Sequence, residues 1–137
     1  MKIFYSWQSD TPSEIGKAFV RSALDLALKK IEASLDLDEA ERPSIDQDTQ
    51  GVMGSPVIAE TIFEKIRNSE VVVADVTLVG KVVQDKKPIK DKKLINSNVG
   101  YELGFAHGYH GDHVFLKVMN THYGPPEDLP FDLGHRR

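Results

Sequence analysis

VVVAD, residues 71–75, is a short apolar, valine-rich run that ends on a carboxylate. A run with no polar alternation marks a strand buried on both faces, which is the situation of a strand inside a parallel sheet. The chain on either side supports this reading. Upstream, Ser55 followed by Pro56 marks a helix start, because proline at the first helical position loses no needed donor and serine can cap. That helix continues through Ile58, Ile62 and Ile66. Downstream comes a lysine-rich loop. Asn98 then opens a helix to about Tyr109, and HVFLKVM, residues 113–119, is the next buried strand. At the start of the chain KIFYS, residues 2–6, is a strand, and a long helix is predicted from about Ser13 to Leu35. PSID, residues 43–46, is a weaker strand. Strand and helix alternate throughout, which predicts right-handed crossovers and an α/β doubly wound parallel sheet of order 2-1-3-4 with helices on both faces.

The long first helix carries two apolar stripes, Ile15, Phe19, Ala23 and Leu26 beside Val20, Leu24, Leu28, Ile31 and Leu35. This arc is wider than one sheet face needs, so part of it is expected to bury against another subunit or a neighbouring domain. The tail from Asn120 to Arg137 is rich in proline, glycine and charge and leaves little room for a possible fifth strand. The 137 residues are therefore read as a single domain whose native chain continues past Arg137.

Composition removes several functional classes. There is no cysteine, hence no disulfide framework, no thiolate metal site and no thiol nucleophile, in keeping with a cytoplasmic location. The formal net charge of −4 argues against a direct nucleic-acid grip, which depends on clustered cations. No apolar run of roughly 18 residues is present, and MKIFYSWQSD lacks the layout of a signal peptide, so no membrane partner is expected. His107, His110 and His113 are spaced by three, but the last falls at a strand, and no metal site is expected from them.

In doubly wound sheets ligands bind beyond the carboxyl ends of the strands, where strand order reverses. That edge is expected to collect Tyr5, Ser6, Trp7, Gln8, Ser9 and Asp10 from the first strand, Asp46 and Asp48 from the second, and Asp75 and Thr77 from the third. Asn98 and Glu102 from the last helix should join them, all facing one crevice. Glu102 lies four positions after Asn98, on the same helix face and near an N-terminus whose dipole favours negative charge. It is the candidate catalytic carboxylate, set against the plainer reading of a first-turn glutamate that steadies its helix. Gly100, Gly104 and Gly108 recur every four residues at a cost of about 1 kcal/mol each relative to alanine, so something is expected to approach that face closely. Trp7 is read either as a stacking platform for a nucleobase or nicotinamide or as a core edge. Ser55, with Gly51 and Gly54 before it, offers a helix N-terminus suited to phosphate, as any capped helix does. Asp48 and Asp75 are read as acid, base or ribose ligands, or as strand-end carboxylates satisfied by amides. The lysines from Lys81 to Lys93 are read as a solvated loop or as a phosphate-binding or partner-binding patch.

Taken together, FYSWQSD (4–10), D-x-D-T-x-G-x-x-G-S-P-x-I-A (46–59), VVVADVT (71–77), N-x-N-V-x-Y-E-L-G-x-A (96–106) and LPFDLGHRR (129–137) resemble bacterial TIR-like nucleotide-binding domains of defence systems. The segment with Asn98, Glu102, Gly104 and Ala106 is also similar to the catalytic helix of nucleoside deoxyribosyltransferases. The resemblance implies a flavodoxin-like, TIR-like fold and cleavage of NAD, as substrate rather than cofactor, to nicotinamide and ADP-ribose during anti-phage defence. Glu102 would be the catalytic glutamate with Asn98 beside it. Tyr5, Ser6 and Trp7 would form the first-strand lip, and Asp48, Gly54 and Ser55 would belong to a gating loop. It further implies activation by self-association under a sensor domain lying beyond residue 137. Two alternatives stay open: an N-ribosyl hydrolase or transferase acting on nucleosides, with Asp75 protonating the leaving base, and a non-catalytic nucleotide-binding or oligomerisation domain.

Overall fold

The computed structural model describes residues 1–35, 42–46, 55–83, 91–111, 115–130 and 133, with 55–57 described through their backbone only. Its organisation follows from side-chain alternation along the first strand, β1 (Lys2–Ser6). Successive residues of a strand point to opposite faces. Ile3 and Tyr5 join Val73 and Leu28 in one core cluster, and Phe4 joins Val72, Ile66 and Ala106 in another on the opposite face. Leu28 lies on α1 (Lys17–Leu35). Ile66 belongs to α2 (Ser55–Arg67) and Ala106 to α3 (Ser97–His110). One helix therefore covers one face of the sheet and two helices cover the other.

The sheet has four parallel strands in the order β2-β1-β3-β6, with β2 at Ser44–Asp46, β3 at Val71–Asp75 and β6 at Phe115–Val118. This is the doubly wound, flavodoxin-like α/β arrangement expected from VVVAD and its surroundings, in the expected order. Tyr5, Ile66 and Ala74 are fully buried. Phe63 of α2 stacks on Phe105 of α3 with ring centroids 3.9 Å apart, which locks the two helices together on their shared face.

Three expectations need correction. Residues 13–35 do not form one helix: Ser13–Ile15 is a 3-10 turn, and the α-helix begins after Gly16. A Cβ at Gly16 would sit 2.5 Å from the Thr11 hydroxyl, so the chain makes its corner at the one residue without that atom. The region after β3 is not simply a lysine-rich loop. Leu78–Val82 (β4) and Lys92–Ile95 (β5) pair antiparallel as a separate two-stranded ribbon. Neither strand joins the main sheet, and no fifth strand extends that sheet among the described residues. Finally, Gly104 and Gly108 have no described atom within 4 Å of where a Cβ would stand, and Gly100 has only Ile95 at ordinary contact distance. Packing among the described residues of the fold does not account for these glycines. Gly111, at φ 72°, does have a conformational role, because it ends α3 in the left-handed region.

Candidate functional site

The carboxyl edge of the sheet opens where order reverses, between β1 and β3, and a cavity of about 260 Å³ lies there. Phe4, Tyr5, Trp7, Gln8 and Ser9 enter it from β1 and its exit. Ile58 and Ile62 contribute an apolar wall from α2, and Asn96, Asn98 and Glu102 close it from the start of α3. Ser6, an even-numbered residue of β1, points toward α3 as Phe4 does. Its hydroxyl donates to the Glu102 carboxylate at 2.5 Å, in the range of a hydrogen bond to a charged acceptor. Ser6 is itself 1% exposed, so this contact is made from inside the fold.

The helix that carries Glu102 is set by an asparagine at its start. Asn96, which the sequence reading did not single out, is the cap of α3. Its side-chain oxygen accepts from the backbone N–H of Asn98 and Val99, and its amide donates to Asp10 at 2.7 Å. One side chain thus begins the helix that carries Glu102 and ties that helix to the loop leaving β1. The signal was available as an asparagine directly before a helix, but Asn98, two residues later, looked equally suitable as the cap. Asn98 is exposed and lies on the cavity wall with Glu102.

Asp75 and Thr77 do not face this cavity. Asp75 belongs to the face of β3 that carries Val73, the α1 side. Its carboxylate accepts from Gln8 Nε2 at 3.1 Å and from both the backbone N–H and the hydroxyl of Thr77. Thr77 in turn accepts from the Asn120 N–H at 2.9 Å. Gln8 is the hub of this buried network: its oxygen accepts from the N–H of Asp10 and Thr11, and its amide also reaches the Thr11 hydroxyl. Asp75 therefore holds the β1 exit in place through Gln8, which lines the Glu102 cavity and hydrogen-bonds to it. Tyr5 borders the same cavity. Its hydroxyl is buried with no hydrogen-bond partner among the described residues, and burial, with the Asp75 carboxylate second, pushes the phenol well above its ordinary range.

Asp46 also lies apart, ion-paired with Lys65 at 2.6 Å beside a different cavity. Ser55 opens α2 as expected. Asp48, Gly51 and Gly54 lie outside the described residues. His107 packs on the Phe115 ring at 4.0 Å, and a ring nitrogen of His110 meets the Ile66 carbonyl, so both serve packing. No group of three potential ligands suited to a metal occurs among the described residues, nor does any helix there have the length and apolarity to cross a membrane.

Trp7 is half-buried against the α1-side core, and the Lys17 ammonium sits 3.3 Å from the centroid of its ring. One face of the indole is thereby occupied. A second, larger groove of about 570 Å³ runs between α1 and β6. Its wall includes Ile15, Phe19, Ala23 and Leu116, and its polar end includes Asp75, Thr77 and Asn120. Phe19 is 64% exposed, Leu26 60% and Leu116 50%. The wide apolar arc of the first helix is thus present on the surface as the sequence suggested.

No protein-family model matches the chain, and no curated protein matches it. Among solved structures, a 2-desoxiribosyltransferase from Leishmania mexicana is similar, with 14% sequence identity over 86% of this chain and a TM-score of 0.49. The match covers 63% of that protein, so this chain spans less than two thirds of its length. A likeness this distant transfers no chemistry from one chain to the other.

Proposed function

We propose that this chain cleaves an N-glycosidic bond of a nicotinamide nucleotide, NAD or a close relative, with Glu102 as the catalytic carboxylate. The observation that carries the reading is the Ser6–Glu102 hydrogen bond at the floor of a cavity on the carboxyl edge of the sheet. A carboxylate held there by a buried hydroxyl has a fixed direction and can meet positive charge as it develops on a sugar.

The leaving group favours nicotinamide. Among the described lining residues Glu102 is the only carboxylic acid, and Asp75, the candidate acid for a nucleoside, faces the other side of the sheet. Glycosidases that expel an alkoxide use a second carboxyl group to protonate it. Nicotinamide on ribose is already a pyridinium: as the C1′–N bond breaks, the ring takes the electron pair and departs neutral, without a proton. Glu102 would stabilise the oxocarbenium-like sugar or form a transient ester with C1′. Water then adds to C1′ and releases one proton.

A second reading, N-ribosyl hydrolysis or transfer on a nucleoside, draws on the size and charge of the cavity. At about 260 Å³ it is small, and none of its described lining residues carries a positive charge to neutralise a diphosphate. Product analysis over NAD, nicotinamide mononucleotide, purine nucleosides and pyrimidine nucleosides separates the two. Free nicotinamide supports the first reading; free purine or pyrimidine with no nicotinamide supports the second.

The proposal extends to a role as the toxic output of an anti-phage defence system, switched on by self-association. The exposed apolar residues of α1 and Leu116 support the self-association. Activity that rises steeply with protein concentration is the expected behaviour.

A further inference from the structure

The groove between α1 and β6 lies on the α1 face of the sheet, across from the Glu102 cavity, beside the carboxyl ends of β3 and β6. Phe19, Ala23 and Leu24 of α1 and Leu116 and Val118 of β6 give it apolar walls, and its volume of about 570 Å³ falls within the range of small-molecule sites. Asp75 is the one charged residue among its described lining. Alternation along β3 sends the Asp75 side chain to this face, with Val73. Asp75 is 2% exposed, and its donors, Gln8 Nε2 and the N–H and hydroxyl of Thr77, are all neutral. They use three of the carboxylate's roughly four acceptor positions. No basic group lies within ion-pair distance of Asp75 among the described residues. The carboxylate thus lacks the cation that usually accompanies a buried charge, and apolar walls screen its field poorly.

We infer that this groove is a second ligand site, which takes a small molecule with an apolar body and a protonated amine at one end. The amine belongs at the end formed by Asp75, Thr77 and Asn120, and the body lies along the apolar walls. An ammonium supplies Asp75 with a counter-charge and a charge-assisted hydrogen bond. A neutral chain of the same length gains only the burial of its apolar surface, and a carboxylate at its end meets a like charge. The occupant is a small molecule rather than a second copy of the chain because the charge sits at the buried end, where only a slender group reaches. A protein surface would meet first the rim, where Phe19 is 64% and Leu116 50% exposed. The site is separate from the Glu102 cavity, and the inference stands or falls independently of the reaction proposed there.

The test is a calorimetric titration with three probes of equal length, n-octylamine, 1-octanol and octanoate, at neutral pH. It is run in the Glu102→Gln protein, so that an ammonium drawn to that other carboxylate does not count. Octylamine is expected to bind at least about tenfold more tightly than octanol, as one charge-assisted hydrogen bond requires, and octanoate more weakly than either. Two further substitutions locate the site. Ala23→Phe fills the groove without touching Asp75 and should weaken octylamine by at least about tenfold. Asp75→Asn should bring octylamine down to the affinity of octanol; because Asp75 also holds the β1 exit, this variant is read only if circular dichroism shows it folded, and the probe series and Ala23→Phe decide without it. Equal binding of amine and alcohol, or octylamine binding that Ala23→Phe leaves unchanged, overturns the inference. So does the absence of octylamine binding, including the case in which sedimentation shows a dimer that Ala23→Phe dissociates, which would make a second copy the occupant.

Discussion

The hydroxyl of Ser6 and the carboxylate of Glu102 are 96 residues apart in the chain and 2.5 Å apart in space. The first strand of the sheet thus supplies the donor that aims a carboxylate on α3, and β1 is positioned by pairing with β2 on one side and β3 on the other. Removing that donor should cost orientation rather than chemistry. Ser6→Ala is expected to fold and to lower kcat by about tenfold or more with little change in KM, in line with the low end of about 1.5–3 kcal/mol for one hydrogen bond to a charged group. Steady-state kinetics on the preferred substrate checks it, and an unchanged kcat would show that Ser6 does not position Glu102.

The Gln8 network makes a stability prediction that is independent of function. Gln8→Leu strips Asp75 of one donor and leaves the N–H of Asp10 and Thr11 without their acceptor, all in or near the buried interior. The expected loss is about 2–4 kcal/mol in urea unfolding. A change below about 0.5 kcal/mol would mean that water replaces the glutamine at no cost.

Tyr5 should behave in the opposite sense. Its hydroxyl has no partner among the described residues, so Tyr5→Phe is expected to leave stability unchanged or raise it by about 1 kcal/mol. The pH dependence follows from the raised pKa. The phenol resists ionisation in the folded state, while the unfolded chain ionises it near the ordinary value of 10.0. Its contribution is therefore complete below pH 10 and is lost as pH rises beyond that value, because the unfolded state then gives up the proton first. Urea unfolding of both proteins across that range should show a shallower alkaline decline for Tyr5→Phe; identical slopes would contradict the account.

Gly104 and Gly108 offer a test of what covers α3. No described atom would meet a Cβ at either position, so Gly104→Ala and Gly108→Ala should each stabilise the protein by about 1 kcal/mol through helix propensity alone. If stability rises but activity falls, that helix face meets a partner or a ligand in the working protein.

The fold was largely legible because its signals are local and redundant. VVVAD, KIFYS and the Ser55–Pro56 helix start each combine burial pattern with punctuation, and their alternation leaves few topologies. The β4–β5 ribbon was hidden because LVGKV contains a glycine and Lys92–Ile95 follows a lysine-rich stretch, so charge and flexibility masked a strand pattern that only pairing reveals. Within the site, Glu102, Ser6, Trp7 and Asn98 could be placed from the sheet-edge rule. Asp75 could not, because the rule gives the edge but not the face. Parity along the strand decides that, and it sends Ser6 toward α3 and Asp75 toward α1. Gln8 and Asn96 act through contacts to distant residues, Asp75 and Asp10, that no spacing in the sequence encodes.

The most direct test of the central claim is nicotinamide release from NAD by the wild-type chain and by Glu102→Gln, at micromolar and at high protein concentration, with folding verified by circular dichroism. The account predicts release that rises with concentration in the wild type and falls by at least about 10²–10³-fold in the folded variant, as for loss of a group that stabilises transition-state charge. Release at the wild-type rate by Glu102→Gln, or none from the wild type at any concentration, would contradict it.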